Sequence, residues 1–423
     1  MESGDGLIVR VHPGPQPLAS SALRRLALLA HEHGNGRLEL TRRANIQLRG
    51  VTAATLSGLQ QALLKHGLAL PARGELARRL MLVDPLSGAQ RERLVELCTE
   101  LERTLSESPL LASLAAKLSV LWDGDSGALA GVSADIRIVL RARAELGELW
   151  IASPDGGELL LGACAAGALG SVVVQLLAAL AASREGGQRM RELVRERGLE
   201  ALRTVSSALV HAEASVQRSD VRLLGYHAHT GCFGLGVPLG AAHAASFESL
   251  AELADSFGDG TLSVAPARVV LLHGVEPSRC AALTAAAHEA QLMSAPSHLL
   301  ANVVACAGAP ACRSALGDTR ALAHELALRA RPLLEAGATL HVSGCSKGCA
   351  HSARADLTLL RDEAGVKLGV CADVAETAQL CASSAAEVGE HVHALSADYA
   401  IAAPREAAGP FLARYRARPR SHQ

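Results

Sequence analysis

Residues 36–51, GRLELTRRANIQLRGV, open on glycine, alternate apolar and polar side chains and close on Gly-Val; residues 260–275, GTLSVAPARVVLLHGV, do the same. Alternation is the period of a β-strand. Each segment then runs into helical spacing, with Leu59 answering Leu283 and Leu68 answering Leu292 at a constant offset of 224 (274 − 50). A second match, SADIRIVL (Ser133–Leu140) with RADLTLL (Arg354–Leu360), has an offset of 221 (356 − 135). A period this long indicates duplication of a whole unit rather than a solenoid. The expected fold is therefore α+β and duplicated: two small α+β half-domains (1–72 and 216–294), each followed by an α/β domain (73–215 and 295–423), related by a pseudo-twofold. The cleft where such halves meet is the expected ligand site.

Composition bounds the rest. The 423 residues are 49% hydrophobic but only 2% aromatic, so Ala, Leu and Val must fill the interior. A formal net charge of −1 gives no global field for nucleic acid or anionic membranes, and neither is expected as a partner. The first residues, MESGDGLIVRVHPG, lack a cationic-then-apolar pattern, and a cytoplasmic location is expected. The apolar run Leu159–Ser183 is broken by glycines and reads as a strand at Glu158–Leu161, a turn and a helix from Ser171 rather than a membrane span. Helical spacing covers Ala19–His33, Ala53–His66, Ala89–Ser106, Ser171–Arg197, Ala245–Phe257, Ser278–Met293 and Thr319–Ala336. The Arg-rich end, RYRARPRSHQ, is expected to fray.

Ten cysteines and no export signal point to a reducing compartment, where thiols serve metals or chemistry. Cys98, Cys164, Cys232, Cys280, Cys371 and Cys381 stand singly among apolar residues and read as buried small hydrophobes. The other four form two pairs: Cys306 and Cys312 in VVACAGAPACRSALGDT, Cys345 and Cys349 in LHVSGCSKGCAHS. Structural zinc takes pairs two to four residues apart, which suits the first pair poorly. A 4Fe-4S cube takes four thiolates from loops that wrap it, and Gly308, Pro310, Gly344 and Gly348 supply the turns. The cube is the favoured occupant; zinc, or four unconnected core cysteines, are the alternatives.

Read as one strand, LTRRANIQLRG turns Arg43, Asn45, Gln47 and Arg49 to one face, a polar wall suited to carboxylates; the alternative is a solvated sheet face. The matching stretch Arg268–His273 has lost most of this polarity. His227 and His229 of YHAHTG share a strand face, and His341 and His351 flank the second cysteine pair. A mononuclear non-haem iron would need two His and a carboxylate, and spacing places no carboxylate beside either pair. A structural role is expected for His227 and His229. Gly234, Gly236 and Gly240 fit a dinucleotide loop poorly, and close approach of backbone to a bound macrocycle is their expected use.

SGDGLIVRVHP, LTRRANIQLRG and the C-x5-C…C-x3-C set together resemble the nitrite/sulfite reductase superfamily and, within it, the precorrin-3B synthase family of aerobic cobalamin biosynthesis. The resemblance implies two ferredoxin-like half-domains and a tetrapyrrole held beside a 4Fe-4S cluster bound by Cys306, Cys312, Cys345 and Cys349. It implies that precorrin-3A is the substrate, hydroxylated with O2 at a meso carbon and closed to a lactone by a neighbouring acetate. Electrons would originate in NADH and pass through a separate reductase to the cluster. Oxygen needs a further centre, either a mononuclear non-haem iron or the reduced tetrapyrrole itself. The alternative within the superfamily is a sirohaem-dependent nitrite or sulfite reductase. The superfamily pattern marks Arg43, Arg79 (in ARRLMLVDPLSG) and Lys117 (in LAAKLSVLWDGDSGA) as catalytic and substrate-binding, together with Asn45, Gln47 and Arg49 for binding. The place of a second active-site lysine holds Ser119, which counts against reduction of a small oxyanion. Lys347, in Ser-Lys-Gly where reductases carry Pro-Asn-x, is a further catalytic candidate.

Overall fold

The computed structural model describes residues 1–183, 188–213 and 221–417. The first unit runs β1 (Glu2–Ser3), β2 (Gly6–Val11), β3 (Leu18–Ala19), α1 (Ser20–His33), β4 (Arg37–Leu40), β5 (Ile46–Val51) and α2 (Ala53–Lys65). The second runs α3 (Ala72–Arg78), β6 (Met81–Val83), α4 (Arg91–Glu107), β7 (Val120–Asp123), β8 (Ile136–Val139), β9 (Leu146–Ala152), β10 (Glu158–Ala165), α5 (Leu169–Ala181), α6 (Met190–Arg197) and α7 (Leu199–Arg203). The third repeats the first with β11 (Gly225–His227), β12 (Cys232–Gly236), β13 (Ala241–His243), α8 (Ala244–Phe257), β14 (Thr261–Ala265), β15 (Val269–Leu272) and α9 (Cys280–Glu289). The fourth holds β16 (Val303–Ala305), α10 (Thr319–Arg329), α11 (Arg331–Glu335), β17 (Leu340–Ser343), β18 (Ala355–Asp362), β19 (Gly365–Ala372), α12 (Val374–Ala378), α13 (Ala385–Ala402) and α14 (Ala408–Ala417).

The repeat is exact where it was read. Helix α1 starts and ends 224 residues before α8 (244 − 20 and 257 − 33). The two half-domain sheets also exchange a strand. β13 of the third unit pairs with β4 of the first (Ala242 opposite Leu38), and β3 of the first pairs with β14 of the third (Leu18 opposite Leu262). Apolar faces of α1 and α8 then pack together, and Leu23, Leu26 and Ala30 share one core with Phe247, Leu250 and Ala254. Neither half can close its sheet or bury its helix without the other, so the two are fixed as one body.

The α/β units repeat as well. β6, β7 and β8 run parallel, as do β16, β17 and β18, and an antiparallel strand follows each set. Ile136 lies opposite Val120 and Leu357 opposite Leu340, so the 221 offset (357 − 136) is met by one of 220 on the neighbouring strand (340 − 120). The Leu159–Ser183 run divides as expected into β10, a short 3-10 turn and α5, and among the described residues no helix is long and apolar enough to cross a membrane.

Several expectations are corrected. The helix expected over Ser171–Arg197 is two, α5 and α6, with part of their connection outside the described residues; Thr319–Ala336 likewise divides where Pro332 removes a backbone donor. Arg414 and Arg416 do not fray. They lie on α14, where Arg414 pairs with Glu406 and Arg416 donates to the Cys371 carbonyl; residues 418–423 lie outside the described residues. Of the lone cysteines, Cys98, Cys164 and Cys232 are buried, Cys280 and Cys371 are half-buried and Cys381 is exposed.

Gly50 and Gly274 close the β5 and β15 hairpin segments in the left-handed region, at φ +69° and +66°. A Cβ there would lie 2.4 Å from the Asn35 side chain and 2.8 Å from the Cβ of Asp259, residues that are themselves 224 apart (259 − 35). Gly50→Ala and Gly274→Ala should each destabilise the protein by about 1–3 kcal/mol, from strain and overlap together. The urea midpoint of the first unfolding transition measures this, and an unchanged midpoint would show the turn to be tolerant.

Candidate metal centre and anion site

Parallel pairing of β16 with β17 sets the centre. Each strand ends at the same level, so the residues that follow, Cys306 and Gly344-Cys345, emerge side by side at the carboxyl end of the sheet, the place where open α/β sheets bind ligands. The Gly344 amide donates to the Cys306 sulfur at 3.3 Å. Gly308, at φ +69°, lets the loop fold back so that the Cys312 amide donates to its carbonyl at 2.7 Å. A second left-handed glycine, Gly348, turns the chain from Cys345 to Cys349. Burial raises the Cys349 thiol above its ordinary pKa, and Cys345, Cys306 and Cys312 raise it further while Lys347 opposes them. All four sulfurs are therefore electrostatic neighbours.

Among the described residues, no three His, Cys, Asp or Glu are grouped tightly enough to hold a single metal ion. The five-residue gap within the first pair, the two wrapping loops and an N–H already aimed at a sulfur fit a 4Fe-4S cube better than a single zinc. As the spacing implied, neither histidine pair joins a carboxylate in a group that could hold a metal ion among the described residues. His229 lies on a turn beyond β11 rather than sharing its face with His227; its ring donates to the Leu86 carbonyl, and that of His227 to the Leu223 carbonyl. His341 and His351 stack edge to face at 5.5 Å. The third expected use, glycines against a macrocycle, is also corrected. A Cβ on Gly234 would strike the Leu223 carbonyl, one on Gly236 the Met293 side chain and one on Gly240 the Arg268 side chain.

The cysteine loop is braced by the first unit. Arg49, 2% exposed, donates to Asp5 at 2.7 and 2.9 Å, to Glu39 at 3.3 Å, to Ser3 Oγ at 2.9 Å and to the Ala311 carbonyl at 2.7 Å. Arg320, at the start of α10, closes the group on Glu39 at 2.5 Å. The Gly4 amide and the Ser3 hydroxyl reach the same Ala311 carbonyl, next to Cys312.

The expected four-residue wall is corrected in its geometry. Thr41–Asn45 is a turn, with Ala44 at φ +55° and a Thr41 amide to Asn45 carbonyl bond, so Arg43 and Asn45 do not continue the β5 face. Gln47 and Arg49 do share that face, buried, with Glu39 and Arg10 alongside in register. The Gln47 amide oxygen, turned toward Arg10, accepts from it at 2.8 and 3.2 Å. Arg10 has no acidic partner among the described residues, and burial depresses its pKa. The turn itself carries two guanidiniums to different partners. Arg42 reaches the Ala350 carbonyl of the cysteine loop at 3.5 Å, while Arg43 reaches Ser133 O at 3.0 Å and Ser119 Oγ at 3.4 Å in the second unit. Arg43, Asn45 and Arg78 also line a shallow, solvent-open cleft with His12, Leu82 and Val264.

Arg79 caps α3, half-buried, with its Nε unpartnered among the described residues. Lys117 is exposed before β7, and Lys347 donates to Ser314 Oγ at 2.9 Å beside Cys349. Sequence reasoning missed Arg10 and Arg42. The only signal for Arg10 was the alternation of IVRV, which means nothing until strand pairing sets it opposite Gln47. Arg49→Met should leave Asp5 and Glu39 as underpaired buried carboxylates and cost about 3–5 kcal/mol. Thermal unfolding with iron content checks this; an Arg49→Met protein as stable as the parent would show the brace to be idle.

A profile of the family "Nitrite/Sulfite reductase ferredoxin-like half domain" matches residues 1–66 and 228–290, the two units that exchange strands. A precorrin-3B synthase of Sinorhizobium sp. is 30% identical over 377 residues, covering 88% of this chain and 80% of that protein. A chloroplastic ferredoxin–nitrite reductase of Zea mays is 27% identical over 393 residues, covering 80% of this chain and 66% of the maize protein. The solved structure of the Mycobacterium tuberculosis NirA protein has the same fold, with a TM-score of 0.76 over 97% of this chain and 83% of that one, at 17% identity. The chain belongs to the nitrite/sulfite reductase superfamily.

Proposed function

We propose that this chain is a precorrin-3B synthase, which hydroxylates precorrin-3A at a meso carbon with O2 and closes the lactone onto a neighbouring acetate. The observation that carries the reading is a pair of consecutive arginines on one turn. Arg42 is held to the cysteine loop and Arg43 to the second unit, so cationic groups stand between a four-thiol centre and a cleft with polar and apolar walls. A macrocycle with carboxylate arms is the ligand such a site suits, apolar in its ring and anionic at its rim. The Sinorhizobium likeness supports the same reading.

Cys306, Cys312, Cys345 and Cys349 would hold a 4Fe-4S cluster, which supplies electrons one at a time. The overall balance takes O2, two electrons and two protons, leaving one oxygen on the substrate and one as water. NADH is the ultimate donor through a separate reductase. Arg43, Arg79 and Lys117 bind and orient carboxylate arms, with Asn45 and Gln47 as neutral donors and Arg10 added to the set. Lys347 counters charge at the exposed Cys349 edge. Arg49, tied up in its buried ion network, serves the centre by bracing its loop rather than by meeting substrate.

A sirohaem-dependent nitrite or sulfite reductase is the second reading, favoured by the maize likeness. Ser119 opposes it. Its hydroxyl and amide are bound to Asp135 at 3.2 and 2.9 Å, so no ammonium stands there to meet a small oxyanion. Anaerobically purified protein should show the broad sulfide-to-iron absorption alone and convert precorrin-3A to a hydroxylated lactone when given O2 and a reductant. Strong chlorin-type bands with nitrite turnover would establish the second reading instead. Arg43→Ala should weaken tetrapyrrole binding by on the order of tenfold with iron content unchanged. Loss of iron in that variant would mean that Arg43 serves the metal centre.

A further inference from the structure

Asp135, 1% exposed, sits behind the Arg43 contact and is fully engaged. Its Oδ2 accepts from the Ser119 amide (2.9 Å), the Ser119 hydroxyl (3.2 Å) and Arg189 (2.7 Å); its Oδ1 accepts from Arg189 Nε (2.7 Å) and the Met190 amide (3.2 Å). Arg189 therefore holds Asp135 in a two-pronged bond, which by itself satisfies the carboxylate. Arg43 is nonetheless brought to the same place, bonded through one terminal nitrogen to Ser119 Oγ and Ser133 O. Burial lowers the Arg43 pKa, and Arg189 is the next cause, ahead of the opposing pull of Asp135.

Two guanidiniums beside one buried carboxylate leave one positive charge (2 − 1), with Arg43 exposed and Arg189 half-buried. Folding alone gains nothing from that surplus, because like charges brought together raise the free energy of the site. Among the described residues, Arg43 Nε and its second terminal nitrogen, and the outer terminal nitrogen of Arg189, have no partner. These free N–H groups and the surplus charge match what one carboxylate offers. Ser119 gives Asp135 only neutral donors, so the charge of that carboxylate is met by a guanidinium from the segment ahead of α6.

We propose that Arg189 and Arg43 together form a receptor for one carboxylate arm of the tetrapyrrole, with Asp135 as its buried anchor. The inference rests on the tetrapyrrole reading above and adds Arg189 as a substrate-binding residue.

The test uses the cluster-loaded protein with uroporphyrin III, a tetrapyrrole octacarboxylate, and with its octa-amide, which has the ring without the charges. Arg189→Gln should bind uroporphyrin on the order of tenfold more weakly than the parent, the loss expected for a charge-assisted pair, and bind the octa-amide equally well. Arg189→Lys should fall between the two. Equal uroporphyrin affinity in parent and Arg189→Gln would overturn the inference, as would an equal loss toward the octa-amide, since a merely structural role moves both ligands together. Should Arg189→Gln fail to fold, Arg189→Lys carries the test, and parental affinity there overturns it. A parent that binds neither ligand defeats the tetrapyrrole reading itself, a result distinct from failure of Arg189 alone.

Discussion

A buried guanidinium holds the cysteine loop of the candidate metal centre in place. Arg49 spends its donors on two carboxylates, a hydroxyl and the Ala311 carbonyl, and so fixes the loop that presents Cys306 and Cys312. An ion group of this kind costs desolvation, and it is tolerated because Glu39 is shared with Arg320 and Asp5 takes two bonds from Arg49. Its effect is positional. The cysteine loop belongs to the fourth unit and the bracing sheet to the first, so the centre exists only where the two halves meet.

The other half shows what the brace replaces. Residues 224 beyond Asp5, Glu39 and Arg49 are His229, Ser263 and His273, and there, among the described residues, no carboxylate takes part: Ser263 Oγ bonds His273 at 2.9 Å and accepts from Arg91 at 3.1 Å, and His229 donates to the Leu86 carbonyl at 3.3 Å. Burial holds His273 at a pKa of about 4, with Arg91 reinforcing it, so the ring stays neutral. The counterpart of Cys306 is Asp84 (306 − 84 = 222), and the amide donated by Gly344 to the sulfur is matched by Gly124 donating to Asp84 at 3.1 Å (344 − 124 = 220). Asp84 is completely buried and bonded to Ser126 and Leu86 besides, with its pKa raised by burial. One backbone frame thus carries a metal-ready thiol in one copy and a self-satisfied carboxylate in the other.

The duplication was legible because period and offset survive in sequence even where identities do not: Gly50 and Gly274 sit at one backbone position that only a residue without Cβ fills comfortably. The four cysteines were legible for a related reason, since paired thiols between small residues admit few uses. What the sequence hid was three-dimensional. LTRRANIQLRG reads as an unbroken strand, yet Thr41 turns the chain through its own side chain, accepting from the Arg43 and Asn45 amides at 3.3 and 3.1 Å, and this sends Arg42 and Arg43 to separate partners. Arg10 acquires meaning only opposite Gln47, and Arg189 only through Asp135, 54 residues away in the chain. Strand exchange between the halves left no periodic trace, because β3 and β13 are two and three residues long.

Taken together, the strand-exchanged halves fix a sheet, the sheet's ion group fixes the loop of Cys306 and Cys312, and parallel pairing of β16 with β17 sets that loop beside the one that carries Cys345 and Cys349. The most direct test of that chain of dependence is iron and acid-labile sulfide analysis of protein isolated without oxygen, with an electron paramagnetic resonance spectrum after reduction. The expected result is iron and sulfide in 4Fe-4S proportion and a reduced-cluster signal that Cys349→Ser abolishes or alters. Zinc in place of iron, or no sulfide after anaerobic reconstitution, would contradict the account at its root.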